Sequence, residues 1–195
     1  MIANVAVKNY PQAPIDISEA IRYAGGGKSE EILLLANSCA EEINGKLRGS
    51  VCYVLLDVEI KEDVCDFGVF RVTSENLAKN LCGAEKVILF GATVGVEIDR
   101  LIAKYSKSSQ TRAVMLAGLG AERIEALCDS FCADMEKELN VKLKPRFSPG
   151  YGDLDISMQR EIFRVLDCPK RIGLCLTESM LMTPSKSVTA FVGII

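Results

Sequence analysis

Apolar positions in this chain recur at helical spacing in several stretches and at strand spacing in others, without regular alternation between the two kinds. Residues 2–8 alternate loosely and predict a strand, which Pro11 and Pro14 bring to an end. Asp16-Ile-Ser-Glu19 has capping-box spacing, so a short helix to about Ala24 follows, closed by Gly25-Gly-Gly27. Ser29 caps a second helix with Ile32, Leu35, Cys39 and Ile43 on one face and Gly45 beyond its end. Val51–Ile60 and Cys65–Val72 read as an antiparallel hairpin joined by a charged turn, and Ser74-Glu75 opens a short helix ending at Gly83. Val87–Phe90 is a compact apolar strand leading through Gly91-Ala-Thr-Val-Gly95 into a helix over Val96–Lys104.

The longest 3.6-residue pattern runs from Gln110 to Leu139, with Met115, Leu119, Ile124, Leu127, Phe131 and Met135 as its apolar line. Gly118 and Gly120 fall inside it, each costing about 1 kcal/mol against Ala. They therefore imply close approach by another element or a ligand. A strand over Val141–Phe147, a helix over Ser157–Leu166, and strands over Arg171–Leu176 and Ser187–Ile195 complete the pattern. Two-residue loops, long crossovers and strict β-α alternation are all lacking. The predicted fold class is therefore α+β, one domain over residues 1–195 with a twisted antiparallel sheet and flanking helices.

Composition narrows what such a domain can do. With 195 residues, 49% hydrophobic and 25% charged, the chain has the balance of an ordinary globule with length for a real core. A net charge of -3 gives no electrostatic reason to expect nucleic acid. No apolar run approaches the roughly 18 residues of a membrane span, and Met1-Ile-Ala-Asn lacks a basic signal-peptide start, so a cytoplasmic location is expected. Histidine is absent, which removes His-based nucleophilic machinery, His metal ligands and a His general base. The eight cysteines are scattered with no C-x-x-C, and only Cys128 and Cys132 share a helical face. They read as small core hydrophobes rather than a metal or disulfide framework.

Two glycine-rich stretches invite a phosphate reading and decline it. Lys28-Ser29 after three glycines would need Gly at the position of Arg22 to form a P-loop. The stretch Gly91–Gly95 lacks G-x-G-x-x-G spacing, so a dinucleotide site is not expected there.

The most specific text lies near the C-terminus: Arg146-Phe-Ser-Pro-Gly-Tyr-Gly152, Leu176-Thr-Glu-Ser179 and Met182-Thr-Pro-Ser-Lys-Ser-Val188. Pro149-Gly150 suits a type II turn, and Gly152 adds a second permissive position. Arg146, Ser148, the amide of Gly150 and the ring of Tyr151 together suit a ligand with a carboxylate and a flat ring. The plainer reading is a turn between a strand and a helix.

These paired motifs resemble the activation domain of cobalamin-dependent methionine synthase, most closely from Pro145 to Gly193 and thinly from about Val87 to Leu139. The resemblance implies a free-standing version of that domain, binding S-adenosylmethionine so that cobalamin on a partner can be remethylated. It implies that Arg146 grips the ligand's carboxylate, with Ser148, Gly150 and Tyr151 in the same loop. A Glu on the long helix would face the amino group. Glu122 and Glu125 both qualify and Glu125 is preferred. A bidentate guanidinium–carboxylate contact is something Lys cannot reproduce.

Three features depart from the family. Gly152-Asp-Leu-Asp-Ile156 replaces an Ala-Cys-Pro and His that face the cobalamin module, a late Tyr falls at about Val192, and extra elements at the domain start and before the Arg are missing. The hydroxyls of Thr177, Ser179, Ser185 and Ser187 read as turn and strand-end partners. Glu178, in a predicted strand, is a weaker ligand candidate.

The expected role is thus an accessory reactivation subunit with no catalytic residue of its own. Cobalamin would come only through a partner methionine synthase or other corrinoid protein, with a flavodoxin-like protein as electron donor. An activator of another corrinoid methyltransferase, or an interaction protein that kept the fold and lost the ligand, are the alternatives.

Overall fold

The computed structural model describes residues 4–195. Its centre is a four-stranded sheet of β1 (Ala6–Tyr10), β2 (Gly49–Asp57), β6 (Lys86–Thr93) and β9 (Ser187–Ile194), in the order β1-β2-β6-β9. Every neighbouring pair is antiparallel, as the lack of crossover patterning predicts. A second sheet of three short strands, β3 (Glu59–Lys61), β4 (Val64–Asp66) and β5 (Arg71–Thr73), and a two-stranded hairpin, β7 (Cys175–Leu176) with β8 (Met182–Thr183), lie outside it.

Both faces of the central sheet are covered. In β6, Ile88, Phe90 and Ala92 point into one core and Val87 and Leu89 into another, so this strand is apolar from Val87 to Ala92 instead of alternating. The first core is closed by α1 (Ile17–Tyr23), α2 (Glu30–Ile43), α4 (Glu97–Tyr105) and α5 (Gln110–Leu139). The second is closed by α3 (Glu75–Leu81), α6 (Gln159–Leu166), α7 (Cys168–Ile172) and the small sheet. Sequence-level caps explain where several helices begin. The side chains of Asp16, Ser29 and Ser74 accept from the amides of Glu19, Ile32 and Leu77 at 3.0, 3.3 and 3.0 Å.

The long helix α5 lies across the first face, where the ring of Phe131 meets Phe90, Tyr53 and Tyr10 with centroids 5.0, 5.2 and 6.5 Å away. Its two glycines mark close approaches by other elements. A Cβ on Gly118 would stand 2.5 Å from the Ala20 carbonyl oxygen of α1, and one on Gly120 would meet Lys186 and Ile98.

Four predicted elements differ. The strand over Val51–Ile60 is broken: β2 ends at Asp57, opposite the first residue of β6, and Val58 donates to Glu85 before the chain enters the small sheet. The strand over Cys65–Val72 is likewise split into β4 and β5 by a turn in which Gly68 takes φ 75°. Val141–Phe147 is extended along β9 but makes only isolated bridges, Leu143 to Ile194 and Phe147 to Phe191, because the register slips by one residue between them and interrupts the ladder. Of Arg171–Leu176 only Cys175–Leu176 is strand, as β7; Arg171 and Ile172 end α7, which Pro169 starts in its first turn and Gly173 closes in the left-handed region. Residues 2–3 of the first predicted strand lie outside the described residues; β1 itself runs to Tyr10.

Among the described residues no helix is long and apolar enough to cross a membrane.

Candidate functional site

One face of α5 presents Glu125, Asp129, Cys132 and Glu136, spaced at i, i+4, i+7 and i+11. Facing it is the extended segment that runs beside β9, held there by hydrogen bonds from Lys144 N to Gly193 O at 2.9 Å and from Phe147 N to Phe191 O at 2.9 Å. Between them is a cleft of about 720 Å³, lined on the α5 side by these four residues and on the other by Lys144, Arg146, Ser148 and Tyr151.

Arg146 spans the gap. Its Nη2 donates to Glu125 Oε2 at 2.7 Å and its Nη1 to Asp129 Oδ1. The guanidinium is three-quarters covered, whereas Glu125 is 43% and Asp129 71% exposed. Burial works against the charge on Arg146, but the hydrogen bond and charge of Asp129 outweigh it, and its pKa is raised. Burial pushes the thiols of Cys128, beneath the cleft, and Cys132, on its wall, above their ordinary range, so neither is a ready nucleophile.

The loop after Arg146 is self-supporting. Tyr151 N donates to Ser148 O at 3.2 Å, Leu154 N to Tyr151 O at 3.0 Å, and Gly150 N to Leu154 O at 2.8 Å. Gly150 takes φ 94° and Gly152 φ 55°, the left-handed geometry that glycine allows at least cost. Tyr151 is 64% exposed at the cleft mouth, its ring edge-on to Phe147.

Four of the five sequence-selected residues, Glu125, Arg146, Ser148 and Tyr151, line this one cleft. Gly150 does not, and its amide is engaged within the loop. Glu122 is turned elsewhere. It is buried, accepts from Asp16 N at 3.1 Å and is paired with Arg123, which itself donates to the carbonyls of Ala13 and Pro14.

Sequence reasoning missed Asp129, although its i+4 spacing from Glu125 was visible. It also missed Lys144 and Glu136, whose Oε1 accepts from Leu143 N at 2.9 Å and so fastens the cleft's two walls together. Among the described residues no group of three or more His, Cys, Asp or Glu side chains could hold a metal ion.

The segment after Tyr151 is occupied with structure. Asp153 accepts from Ser74 Oγ at 2.5 Å and from the amides of Glu75 and Asn76 at 2.7 and 3.2 Å, at the start of α3. Asp155 accepts from Ser157 N at 2.7 Å, opening a single 3-10 turn ahead of α6. Val192 is fully buried in β9. Thr177 Oγ1 accepts from Leu181 N at 3.0 Å and Ser187 donates to Pro184 O at 2.8 Å, so these hydroxyls serve the turns they stand in. Glu178 lies in the exposed turn between β7 and β8 and not in a strand.

Comparison with known proteins places this architecture. Residues 72–194, more than half of the chain, match the family described as vitamin B12 dependent methionine synthase, activation domain, and the chain belongs to that family. Its fold is also that of a solved structure described as the MetH reactivation domain bound to AdoHcy. The two superpose with a TM-score of 0.69 over 98% of this chain and 79% of that one, at 17% sequence identity. The shared fold thus extends across the N-terminal residues, which the family match does not reach. Comparison with curated proteins found no match.

Proposed function

We propose that this chain, acting as one unit, binds S-adenosylmethionine in the α5 cleft and supports reductive remethylation of cobalamin on a partner cobalamin-dependent methionine synthase. The observation that carries this reading is Arg146 standing between Glu125 and Asp129 on the wall of an open cleft, in a chain of the activation-domain family. AdoHcy, bound by the fold relative, has the amino-acid and adenosine parts of S-adenosylmethionine without the transferred methyl.

A zwitterionic amino-acid end fits the three charged groups. The guanidinium fork takes the ligand's carboxylate, and the carboxylate it releases from Glu125 or Asp129 turns to the ammonium. Ser148 and Tyr151 flank the remainder. The ligand's sulfonium supplies an electrophilic methyl group, so the protein's task is to hold and orient it. The chain has no histidine to offer cobalt, which fits a corrinoid held by another polypeptide, with a flavodoxin-like donor supplying the electron.

Added S-adenosylmethionine is expected to raise the melting temperature of the parent protein, and Arg146→Ala to abolish the shift. With a corrinoid partner and a reductant, the parent is expected to restore methylcobalamin. A parent protein with no shift and no remethylation overturns the reading. The second reading, an interaction protein that has lost the ligand, draws on the same site: Arg146 is already satisfied by two carboxylates, and the Gly150 amide is turned inward. Partner binding that survives in Arg146→Ala while the parent shows no ligand affinity would establish it.

A further inference from the structure

Away from the cleft, on the opposite face of the sheet, two thiols stand together. Cys52 of β2 and Cys168, the first residue of α7, are both fully buried, 116 positions apart in sequence, with Sγ atoms 3.6 Å apart. Cys52 is the cross-strand neighbour of Gly91 in β6. A Cβ at Gly91 would stand 3.0 Å from the Cys168 sulfur and 3.6 Å from that of Cys52, so glycine there leaves the sulfurs their space. Leu166 and Leu174 belong to the same apolar core, and the charges of Arg171 and Asp167 lie near enough to act on the pair.

The pair is polarised. A hydrogen bond from Cys168 holds the Cys52 thiol below its ordinary range, and the same contact together with burial pushes Cys168 up. Apart from that shared bond, the Gly91 backbone and the Arg171 charge favour the thiolate on Cys52, whereas Asp167 disfavours it on Cys168. The helix bearing Cys168 has five residues and lies between two left-handed residues, Asp167 at φ 50° and Gly173 at φ 67°. Short elements of this kind belong to the easily opened part of a fold, which gives a small reagent a route to a buried sulfur.

We infer that Cys52 and Cys168 form a redox-sensitive staple, closed to a disulfide by exchange with a low-molecular-weight disulfide, that ties β2 to α7. The Cys52 thiolate attacks one sulfur of the reagent, forming a mixed disulfide and expelling one thiolate. Cys168 then attacks the Cys52 sulfur, forming the internal bond and expelling the second. The two cysteines lose two electrons and the reagent gains them, leaving as two thiols that carry away the two protons. Because α6 and α7 follow the Asp155 turn behind the cleft loop, the closed staple fixes the layer supporting that loop to the sheet.

The test uses the full chain with the exposed Cys82 and Cys175 replaced by serine, so that surface adducts do not obscure the result. The protein is incubated with cystamine, denatured in an alkylating agent, weighed and digested without reductant. Relative to an alkylated control not exposed to cystamine, the expected product is lighter by two alkyl groups, carries no cysteamine, and yields a peptide pair joining Cys52 to Cys168. Its thermal midpoint is expected to rise and to return with dithiothreitol. Cys168→Ser is expected to trap one cysteamine on Cys52. If that variant does not fold, peptide mapping of its parent decides alone. Recovery of every remaining thiol in alkylatable form, or an adduct confined to Cys132, overturns the inference.

Discussion

Two neighbouring stretches of α5 carry the same functional groups in opposite states of commitment. Glu122 and Arg123 are buried, at 5% and 4% exposure, and nearly everything they can bond is backbone or each other. They hold the Ala13–Asp16 segment against the helix, and a ligand could reach neither without unfolding it. Glu125 and Asp129, within two turns of them, meet Arg146 across a cleft open to solvent. The second set keeps its charges where a zwitterion can exchange for them. An acid beside an arginine is therefore not in itself a site. What separates a clamp from a binding group is whether its partners can be replaced at small cost.

The largest expected effect comes from breaking the committed pair. Arg123→Ala leaves the Glu122 carboxylate buried without its counter-charge and frees the carbonyls of Ala13 and Pro14. A loss of about 3–5 kcal/mol is expected from denaturant unfolding. By contrast, Arg146→Ala removes an ion pair whose acidic partners are largely in water, so unfolding stability is expected to fall by no more than about 1 kcal/mol. Its effect belongs in binding: loss of a charge-assisted pair is expected to weaken S-adenosylmethionine about 10- to 100-fold in calorimetry. A large stability loss with unchanged affinity in Arg146→Ala would erase the distinction between the two sets.

Gly118→Ala tests the committed side through packing alone. Alanine improves helix propensity by about 1 kcal/mol. The new methyl, however, would meet the Ala20 carbonyl of α1, a backbone atom that cannot rotate away. Overpacking of about 1–3 kcal/mol is expected to win, for a net loss of up to about 2 kcal/mol in thermal unfolding. Because α1 begins beside Asp16, whose amide reaches Glu122, the variant loosens the clamp without touching a charge.

What the sequence made legible follows the range of the interactions. Helix α5, the helix caps at Asp16, Ser29 and Ser74, and the Pro149-Gly150 turn are set by residues within a few positions of each other. They could be read directly. The resemblance asks for a Glu on α5 without deciding between Glu122 and Glu125; Glu125, the preferred of the two, stands beside Arg146. Asp129 was overlooked because its partnership with Arg146 crosses 17 positions of chain that no local rule connects. The same reason hid the break between β2 and β3, which depends on where β6 begins. Arg171–Leu176 failed differently and only in its first half: apolar Ile172, Leu174 and Leu176 alternate as a strand would, but Pro169 and Gly173 start and stop a helix that takes Arg171 and Ile172, leaving Cys175–Leu176 as strand.

A third carboxylate sharpens the contrast, because its commitment can be read from pH. Asp153 is fully exposed to solvent by position, yet the Ser74 hydroxyl and the amides of Glu75 and Asn76 hold its pKa at about 2. In the unfolded chain the same group titrates near 3.9. A depressed folded pKa means the contribution is complete above about pH 4 and disappears as the pH falls toward about 2. Asp153→Asn should therefore be less stable than the parent near neutral pH, with the gap between their urea midpoints narrowing at about pH 3. This is expected to be the smallest of the effects, since water competes for an exposed carboxylate. Ligand affinity near neutral pH should be unaltered in the same variant, because Asp153 faces α3 and not the cleft. A change in affinity without a pH-dependent gap would move Asp153 from the structural set to the binding set, and with it the stretch that follows Tyr151.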